Sequence, residues 1–214
     1  MENLDKIILI DKPKGITSFD VIRQLRKKIG VRKMGHAGTL DPLASGLMII
    51  GIQEGTKLLN NFLKLPKTYE AHILLGKSTT TGDMEGEVVS SGDAGHIKKS
   101  EIEKVTKEMV GTHNIKVPIY SAIKQGGVPL YKKARAGHDV EAPVKEMTVT
   151  HAILEDLYEH DGYPIIKINF DVSSGTYIRS LAEEFGKKLN VPATLFDLRR
   201  LTIGDFSVED AMDL

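Results

Sequence analysis

The chain has 214 residues, a formal net charge of zero, 27% charged and 41% hydrophobic residues, and no cysteine. These values are typical of a soluble globular protein that is long enough to bury a substantial core. The lack of cysteine excludes disulfides and thiolate metal sites. The apolar run at 7–10 is too short for a signal peptide or a membrane span, so we expect a cytosolic protein without a membrane partner.

The N-terminal part of the sequence predicts short strands around one amphipathic helix. Residues 7–10 read as a strand. Thr17 or Ser18 can cap a helix whose apolar residues recur at helical spacing up to Ile29. The elements expected next are a buried strand at 47–52, a short helix at 56–63 and a strand at 69–75.

The remaining sequence predicts hairpins and two more helices. Ser100 with Glu103 forms a capping-box pattern for one helix, and Thr176 is expected to cap the last major helix. The other expected elements are a turn at 82–86 leading to a strand at 87–90, a helical piece at 130–136, long strands at 147–158 and 164–172, and a strand at 195–203. This mixture predicts an α+β fold with a mainly antiparallel sheet. Since no repeat or linker divides the sequence, we expect a single domain over 1–214.

Charge is segregated along the chain although its sum is zero. One basic stretch has no acid between Asp20 and Asp41, and a second has none between Ser121 and His138. Their basic residues are Arg23, Arg26, Lys27, Lys28, Arg32 and Lys33, then Lys124, Lys132, Lys133 and Arg135. Such segregation indicates either a positive face that binds phosphates or two solvated helix faces.

The segment Gly38-Thr-Leu-Asp-Pro-Leu-Ala-Ser-Gly46, called the Asp41 segment below, presents one carboxylate in a bent stretch of backbone. Its two glycines can adopt conformations that are closed to other residues. Pro42 fixes its own φ and pushes Asp41 away from helical geometry. Two interpretations stay open on this pattern alone: a rigidly held acid that acts on a polyanion, and an Asx-type turn in a surface loop.

Familiar cofactor and metal motifs are absent from the sequence. It contains no P-loop, no dinucleotide-binding glycine pattern and no His-Glu-x-x-His helix, and its seven histidines lack metal-ligand spacing. We therefore expect no metal and no nucleotide cofactor. His36, Tyr69 and Arg179 stand out near turns and element starts. Taken singly, each has an ordinary structural explanation, as a loop donor, a core aromatic and a surface helix residue.

A set of motifs in one order along the chain is more specific than any single residue. These motifs are Lys12-Pro-Lys-Gly15, Gly35-His-Ala-Gly-Thr-Leu-Asp-Pro-Leu-Ala-Ser-Gly46, Gly55-Thr-Lys57, Lys67-Thr-Tyr69, Thr79-Thr-Thr-Gly-Asp-Met-Glu-Gly86, Tyr120-Ser-Ala-Ile-Lys124, Leu130-Tyr131, Ala134-Arg135, Gly175-Thr-Tyr-Ile-Arg-Ser180 and Leu198-Arg-Arg200. With them the sequence resembles the TruB family of tRNA pseudouridine synthases over nearly its whole length. The resemblance implies a pseudouridine synthase-like fold, with a mixed sheet flanked by helices and an RNA-binding thumb loop.

The resemblance also implies an activity. Family members isomerise uridine 55 in the T loop of tRNA to pseudouridine without a cofactor, after flipping the base out of its stack. Asp41 would be the essential carboxylate. Three roles for it stay open: attack on C1′, attack on the base, and stabilisation of a glycal route. Arg179 would keep Asp41 ionised, and Tyr69 would stack on the uracil and serve as a candidate base for the C5 proton.

The same resemblance implies how RNA would be held. His36 would enter the RNA loop and support the flipped arrangement, and Leu198 would line the apolar wall of the pocket. Residues 120–141, called the thumb segment below, match the family's mobile thumb. Its Lys132, Lys133 and Arg135 would contact phosphates of the T stem-loop. We expect a monomer whose partner is tRNA.

Three departures and two alternatives limit this interpretation. Ile115-Lys-Val-Pro118 stands where the family often has Gln-x-Pro-Pro, and Lys145 stands where arginine is common. The sequence stops at Leu214 without the C-terminal PUA-like domain of many bacterial members, which indicates a compact form or a fragment. The alternatives are a non-catalytic tRNA-binding or tRNA-folding protein on the same scaffold and a subunit of the guide-RNA-directed machinery. Retention of Asp41, Tyr69 and Arg179 argues against the first, and the missing C-terminal domain against the second.

Overall fold

The computed structural model describes residues 6–121, 123–136 and 140–214, without the side chains of residues 124, 131 and 135. Within these ranges the strands are β1 (Ile7–Lys12), β2 (Met34–His36), β3 (Ser45–Ile52), β4 (Lys67–Leu75), β5 (Lys77–Thr79), β6 (Val88–Ser91), β7 (Gly111–Lys116), β8 (Lys124–Gln125), β9 (Val128–Pro129), β10 (Val144–His160), β11 (Tyr163–Val172), β12 (Ala193–Ile203), β13 (Phe206–Ser207) and β14 (Met212–Asp213). The α-helices are α1 (Ser18–Ile29), α2 (Leu59–Leu63), α3 (Lys99–Glu108), α4 (Leu130–Arg135) and α5 (Ile178–Lys188), and 3-10 helices cover Gln53–Leu58 and Val208–Asp210. The predicted α+β class is confirmed.

The start of α1 follows its sequence signal. Thr17 is the N-cap, and its hydroxyl accepts a hydrogen bond from the Asp20 amide at 3.1 Å. The Thr17 amide donates to the Asp20 carboxylate at 2.8 Å, which completes a capping box. The helix ends at Gly30, whose φ of 76° is the left-handed conformation that favours glycine.

Two predicted helix caps are wrong. Helix α3 begins at Lys99, so Ser100 lies inside it, and the Lys98 amide donates at 2.9 Å to Glu101 rather than to Glu103. Helix α5 begins at Ile178 with Tyr177 as its N-cap, one residue later than Thr176 would place it. Similar capping patterns overlap within a turn of each other in the sequence, so they place a helix start only to within one or two residues.

The described residues divide into two units, and the first comprises 6–70, 169–175 and 197–214. Its strand order is β14-β1-β3-β12, with β2 beside β3 and β13 beside β12. Strand β3 runs antiparallel to β1 and parallel to β12. Seven of its eight residues are buried, which explains its continuous apolar sequence. The core here contains Ala37, Leu47, Ile49, Leu59, Ile203 and Val208.

The second unit comprises the described part of 71–168 together with 176–196. Its strand order is β4-β11-β10-β7, and β10 is antiparallel to β7 from Val144 opposite Lys116 to Val149 opposite Gly111. The predicted hairpin between β10 and β11 is confirmed, because Asp161 and Gly162 both have the positive φ of a tight hairpin turn, 50° and 77°. The single domain over 1–214 stays a prediction.

Candidate active site

The backbone on both sides of Asp41 is held by hydrogen bonds within the first unit. Buried Ser18, at the start of α1, donates its hydroxyl to the Leu40 carbonyl at 2.9 Å and accepts from the Leu40 amide at 2.8 Å. On the other side, the Gly15 amide donates to the Pro42 carbonyl at 2.8 Å. Asp41 itself is half-buried. The carboxylate is therefore carried by a backbone whose two neighbouring residues are fixed, as a catalytic acid requires.

Arg200 of β12 lies against the two ends of the Asp41 segment. Its guanidinium is buried, and it donates from Nε to the Leu47 carbonyl at 2.7 Å and from Nη2 to the Gly38 carbonyl at 3.1 Å. The sequence singled out this arginine only as part of the Leu198-Arg-Arg200 motif. Its structural partners lie more than 150 residues away, so no local pattern could have shown them.

His36 ends β2, two residues before the Asp41 segment, and is half-buried. Burial lowers the pKa of its imidazole below 6.5, and the nearby Arg200 charge lowers it further, while a backbone hydrogen bond to Gly38 acts in the opposite direction. Its Nδ1 is buried without a hydrogen-bond partner in the described part of the chain. This histidine is therefore neutral at neutral pH, and its Nδ1 is closed off from solvent.

Tyr69 and Leu198 also belong to the first unit. Tyr69 lies on β4 and Leu198 on β12, and both are buried, at 8% and 7% exposure. Lys67, two residues before Tyr69, donates its ammonium to the carbonyls of Leu63 and Leu65 at 2.7 and 2.6 Å. Burial, with a smaller effect of the Arg200 charge, lowers the pKa of Lys67 to about 8. This buried lysine joins the end of α2 to the beginning of the Tyr69 strand.

Arg179 is buried in α5 of the second unit, so the interpretation of it as a surface helix residue is wrong. Its guanidinium donates to the carbonyls of Thr81 and Tyr120 at 2.9 and 3.0 Å. Its Nε lies 3.6 Å from the carboxylate of Asp83, which is 2% exposed. These acceptors fix the plane of the guanidinium, so Arg179 presents a positive charge in one orientation.

Asp83 is a site residue to which the sequence assigned no role. Its carboxylate accepts from the Thr81 hydroxyl and from the Glu85 amide, the latter at 3.1 Å. A buried carboxylate needs a charged or hydrogen-bonded partner, and Arg179 with these two donors supplies both. The available signal was the Thr79–Gly86 motif itself, in which one acid follows a glycine turn.

The described part of the thumb segment is a small hairpin followed by a helix. Strands β8 and β9 pair with each other, and the Leu130 amide donates to the Ile123 carbonyl at 2.8 Å as α4 begins. On α4, Lys132 is exposed and Lys133 donates to the Gln125 side chain at 3.3 Å. The Arg135 side chain and residues 122 and 137–139 lie outside the described part of the chain.

The described residues contain neither a cluster of metal-ligating side chains nor a helix that could span a membrane. No group of three or more histidine, aspartate or glutamate side chains there could hold a metal ion. Within the same ranges, no helix is both long and apolar enough to cross a membrane.

Comparison with known proteins identifies the family. A family model described as TruB family pseudouridylate synthase, N-terminal domain, matches residues 26–178. The chain belongs to the TruB family. The tRNA pseudouridine synthase B of Syntrophotalea carbinolica is 39% identical over 211 residues, which cover 99% of this chain and 68% of that protein. The tRNA pseudouridine synthase B of Corynebacterium efficiens is 40% identical over 208 residues, 97% of this chain and 70% of that protein.

Solved structures show the same fold. This TruB family chain matches a chain in the crystal structure of a Cbf5-Nop10-Gar1 complex with a TM-score of 0.73 and 28% identity, covering 97% of this chain and 52% of that one. A structure of an H/ACA RNP bound to a substrate RNA containing 2′-deoxyuridine matches with a TM-score of 0.71 and 24% identity. The chain thus spans about half the length of these solved chains. The predicted pseudouridine synthase-like fold is confirmed.

Proposed function

We propose that this chain isomerises uridine to pseudouridine in tRNA, with uridine 55 of the T loop as its target. The observation that carries the proposal is the Asp41 segment, in which hydrogen bonds to Leu40 and Pro42 fix the backbone on both sides of one half-buried carboxylate. Membership in the TruB family, with relatives named tRNA pseudouridine synthase B, supports the reaction and its RNA class.

The reaction rearranges bonds within one nucleotide. The C1′–N1 bond breaks, the uracil turns, and C5 bonds to C1′. The proton on C5 leaves and N1 gains a proton, so the product is an isomer and no oxidant or group donor is consumed. Asp41 acts as an ionised carboxylate at the C1′–N1 bond that breaks.

The other site residues have supporting roles in the proposal. Arg179 supplies the positive charge that keeps Asp41 ionised. Tyr69 stacks on the uracil and removes the C5 proton. His36 supports the extruded base. Leu198 lines the pocket. Lys132, Lys133 and Arg135 contact phosphates of the T stem-loop. We further propose that the chain works as a cytoplasmic monomer.

Release of tritium from tRNA that carries tritium at uridine C5 tests the reaction, because C5 loses its hydrogen only if the base is re-attached there. We expect release without any added cofactor from both full tRNA and an isolated T stem-loop, but not from an anticodon stem-loop. We expect Asp41→Asn to abolish release while the Kd for tRNA stays within a few-fold, because the amide keeps the shape and loses the charge. A folded wild-type chain that binds tRNA and releases no tritium would identify a non-catalytic tRNA-binding protein.

A further inference from the structure

Arg200 is a buried cation to which the proposed reaction gives no role. The residue is 1% exposed, and it donates to main-chain carbonyls of Gly38 and Leu47. Removing a guanidinium from water costs free energy, and hydrogen bonds to the main chain offset that cost. A buried arginine of this kind therefore indicates a stretch of main chain that the fold or the function needs to hold in place.

The two accepting carbonyls bracket the Asp41 segment. Gly38 is its first residue and Leu47 directly follows its last, so one side chain joins the two ends of the bend. A loop closed at both ends has less freedom than one tethered at a single end, because each extra constraint removes backbone conformations. The carboxylate of Asp41 lies between these two fixed points.

The two glycines of the segment fit the same arrangement. Arg200 is the residue opposite Gly46 where β12 pairs with β3. A Cβ on Gly46, which has φ 106°, would lie 2.2 Å from the Arg200 carbonyl oxygen, and a Cβ on Gly38 would lie 3.3 Å from Arg200 Nη1. Both glycines therefore let the main chain approach Arg200 closely. This explains physically why the segment begins and ends with the one residue that has no side chain.

We propose that Arg200 is a positioning residue for the reaction, which holds the Asp41 segment closed by joining its two ends. The proposal rests on the proposed function. Arginine is required because its planar guanidinium offers separate donors in a fixed fork, whereas a lysine ammonium has a single position on a flexible stem. Lysine at this site keeps the positive charge and loses the simultaneous contact with both carbonyls.

The variant Arg200→Lys tests the positioning role separately from the positive charge, which lysine keeps, and the Kd for tRNA tests it separately from RNA binding. We expect the single-turnover rate of tritium release to fall by roughly 10- to 100-fold, as small displacements of a catalytic group do, with the Kd for tRNA within about two-fold of wild type. Arg199→Lys is the matched control, since Arg199 is the adjacent residue of the same strand. Its main contact is the ion pair with Asp11 at 2.6 Å, and its side chain reaches the segment only through one long hydrogen bond, 3.5 Å, to the Ser45 hydroxyl. We expect Arg199→Lys to keep the wild-type rate. A wild-type rate in Arg200→Lys, or a weakened Kd that accounts for its slower release, would overturn the proposal.

Amide hydrogen exchange tests the same proposal without reference to activity. We expect peptides that cover 37–48 to exchange at least about ten-fold faster in Arg200→Lys than in Arg199→Lys, with unchanged protection in β10 and α5. Two outcomes would overturn the proposal. Faster exchange across the whole chain would mean that Arg200 supports the entire fold, and an unchanged exchange rate in the segment would mean that Arg200 does not hold it. If the wild type releases no tritium, the proposed function fails, and the exchange result still decides whether Arg200 holds the segment.

Discussion

The Asp41 segment and the thumb segment are held in different ways. The first is fixed by Ser18, Gly15 and the buried Arg200, and its backbone partners lie within the same unit. The tip of the second, 125–128, is exposed, and an exposed bond from Lys133 to Gln125 is among its internal contacts. One region keeps a single acid in place, whereas the other presents the exposed Lys132 on its helix.

The difference matches the two tasks that the proposed reaction sets. Bond cleavage needs a carboxylate within a fraction of an ångström of its productive position, so the residues around Asp41 should affect rate. Phosphate contacts are long-range and tolerant of geometry, so the lysines of the thumb segment should affect affinity and its salt dependence. A thumb lysine that controls rate, or a contact of the Asp41 segment that controls only affinity, would contradict this division of tasks.

Ser18→Ala should give the largest effect among tests of this comparison. The substitution removes both hydrogen bonds to Leu40, the residue directly before Asp41, and leaves a buried amide and a buried carbonyl unsatisfied. We expect a loss of about 1–3 kcal/mol in the free energy of unfolding and a roughly 10-fold or greater fall in the single-turnover rate. Urea unfolding and tritium release under saturating enzyme measure the two effects.

Thr17→Ala is the matched control for the loss of stability. Thr17 caps the same helix one residue earlier, so its loss should cost about 1 kcal/mol without touching Leu40. We expect Thr17→Ala to keep its rate at temperatures where it is folded. Equal rate losses in the two variants would show that helix stability, rather than the Leu40 contacts, determines the position of Asp41.

Neutralising the thumb lysines should have a smaller effect, on affinity alone. For Lys132→Gln with Lys133→Gln we expect several-fold weaker tRNA binding and a salt slope that is smaller by about 1–2, because each phosphate contact releases about one counterion. The single-turnover rate at saturating enzyme should stay near wild type. Filter binding between low and moderate salt gives the slope.

The adjacent lysines at the end of α5, Lys187 and Lys188, provide a matched control pair. They also lie on a helix and their neutralisation removes the same two charges. We expect Lys187→Gln with Lys188→Gln to leave the salt slope unchanged. The same flattening in both double variants would mean that net charge, rather than the thumb segment, determines RNA affinity.

The sequence predicted those elements whose signal is local. Strand β3 appeared as a continuous apolar run, α1 as a capped amphipathic stretch, and the β10–β11 hairpin through Asp161 and Gly162. The short strands β2 and β14 have three and two residues and exist only through pairing with β3 and β1. No pattern of that length distinguishes a strand from a loop, so tertiary contacts decided them.

The candidate site shows the same limit. Asp41 stood out because glycines and a proline surround it at fixed spacing, and those residues act within nine positions of one another. The groups that hold Asp41 in place are distant in the sequence. Ser18 contacts a residue 22 positions away, and Arg200 contacts residues 153 and 162 positions away. Similarly, Asp83 and Arg179 are far apart in the sequence and become neighbours only in the folded chain. The reacting residues carry a local signal, and the residues that position them do not.

The smallest expected effect concerns pH and the burial of His36 beside the Asp41 segment. Burial first, and the Arg200 charge second, hold the pKa of folded His36 below its ordinary value of 6.5. Between that lowered pKa and 6.5 the unfolded chain binds more protons, so the free energy of unfolding decreases as the pH falls through this window. The stabilising contribution is fully present above pH 6.5 and is lost on acidification.

His36→Gln removes this titration and should flatten the dependence. Urea unfolding at pH 7.5 and pH 5 should show that the wild type loses more stability on acidification than His36→Gln, by about 1 kcal/mol or less because the ring is half-exposed. His96→Gln is the control, since His96 is an exposed histidine outside the Asp41 segment and its flanking residues. An equal acid-induced loss in wild type and His36→Gln would mean that His36 titrates as a solvent-exposed group. The buried character that separates the Asp41 segment and its flanking residues from the thumb segment would then not extend to His36.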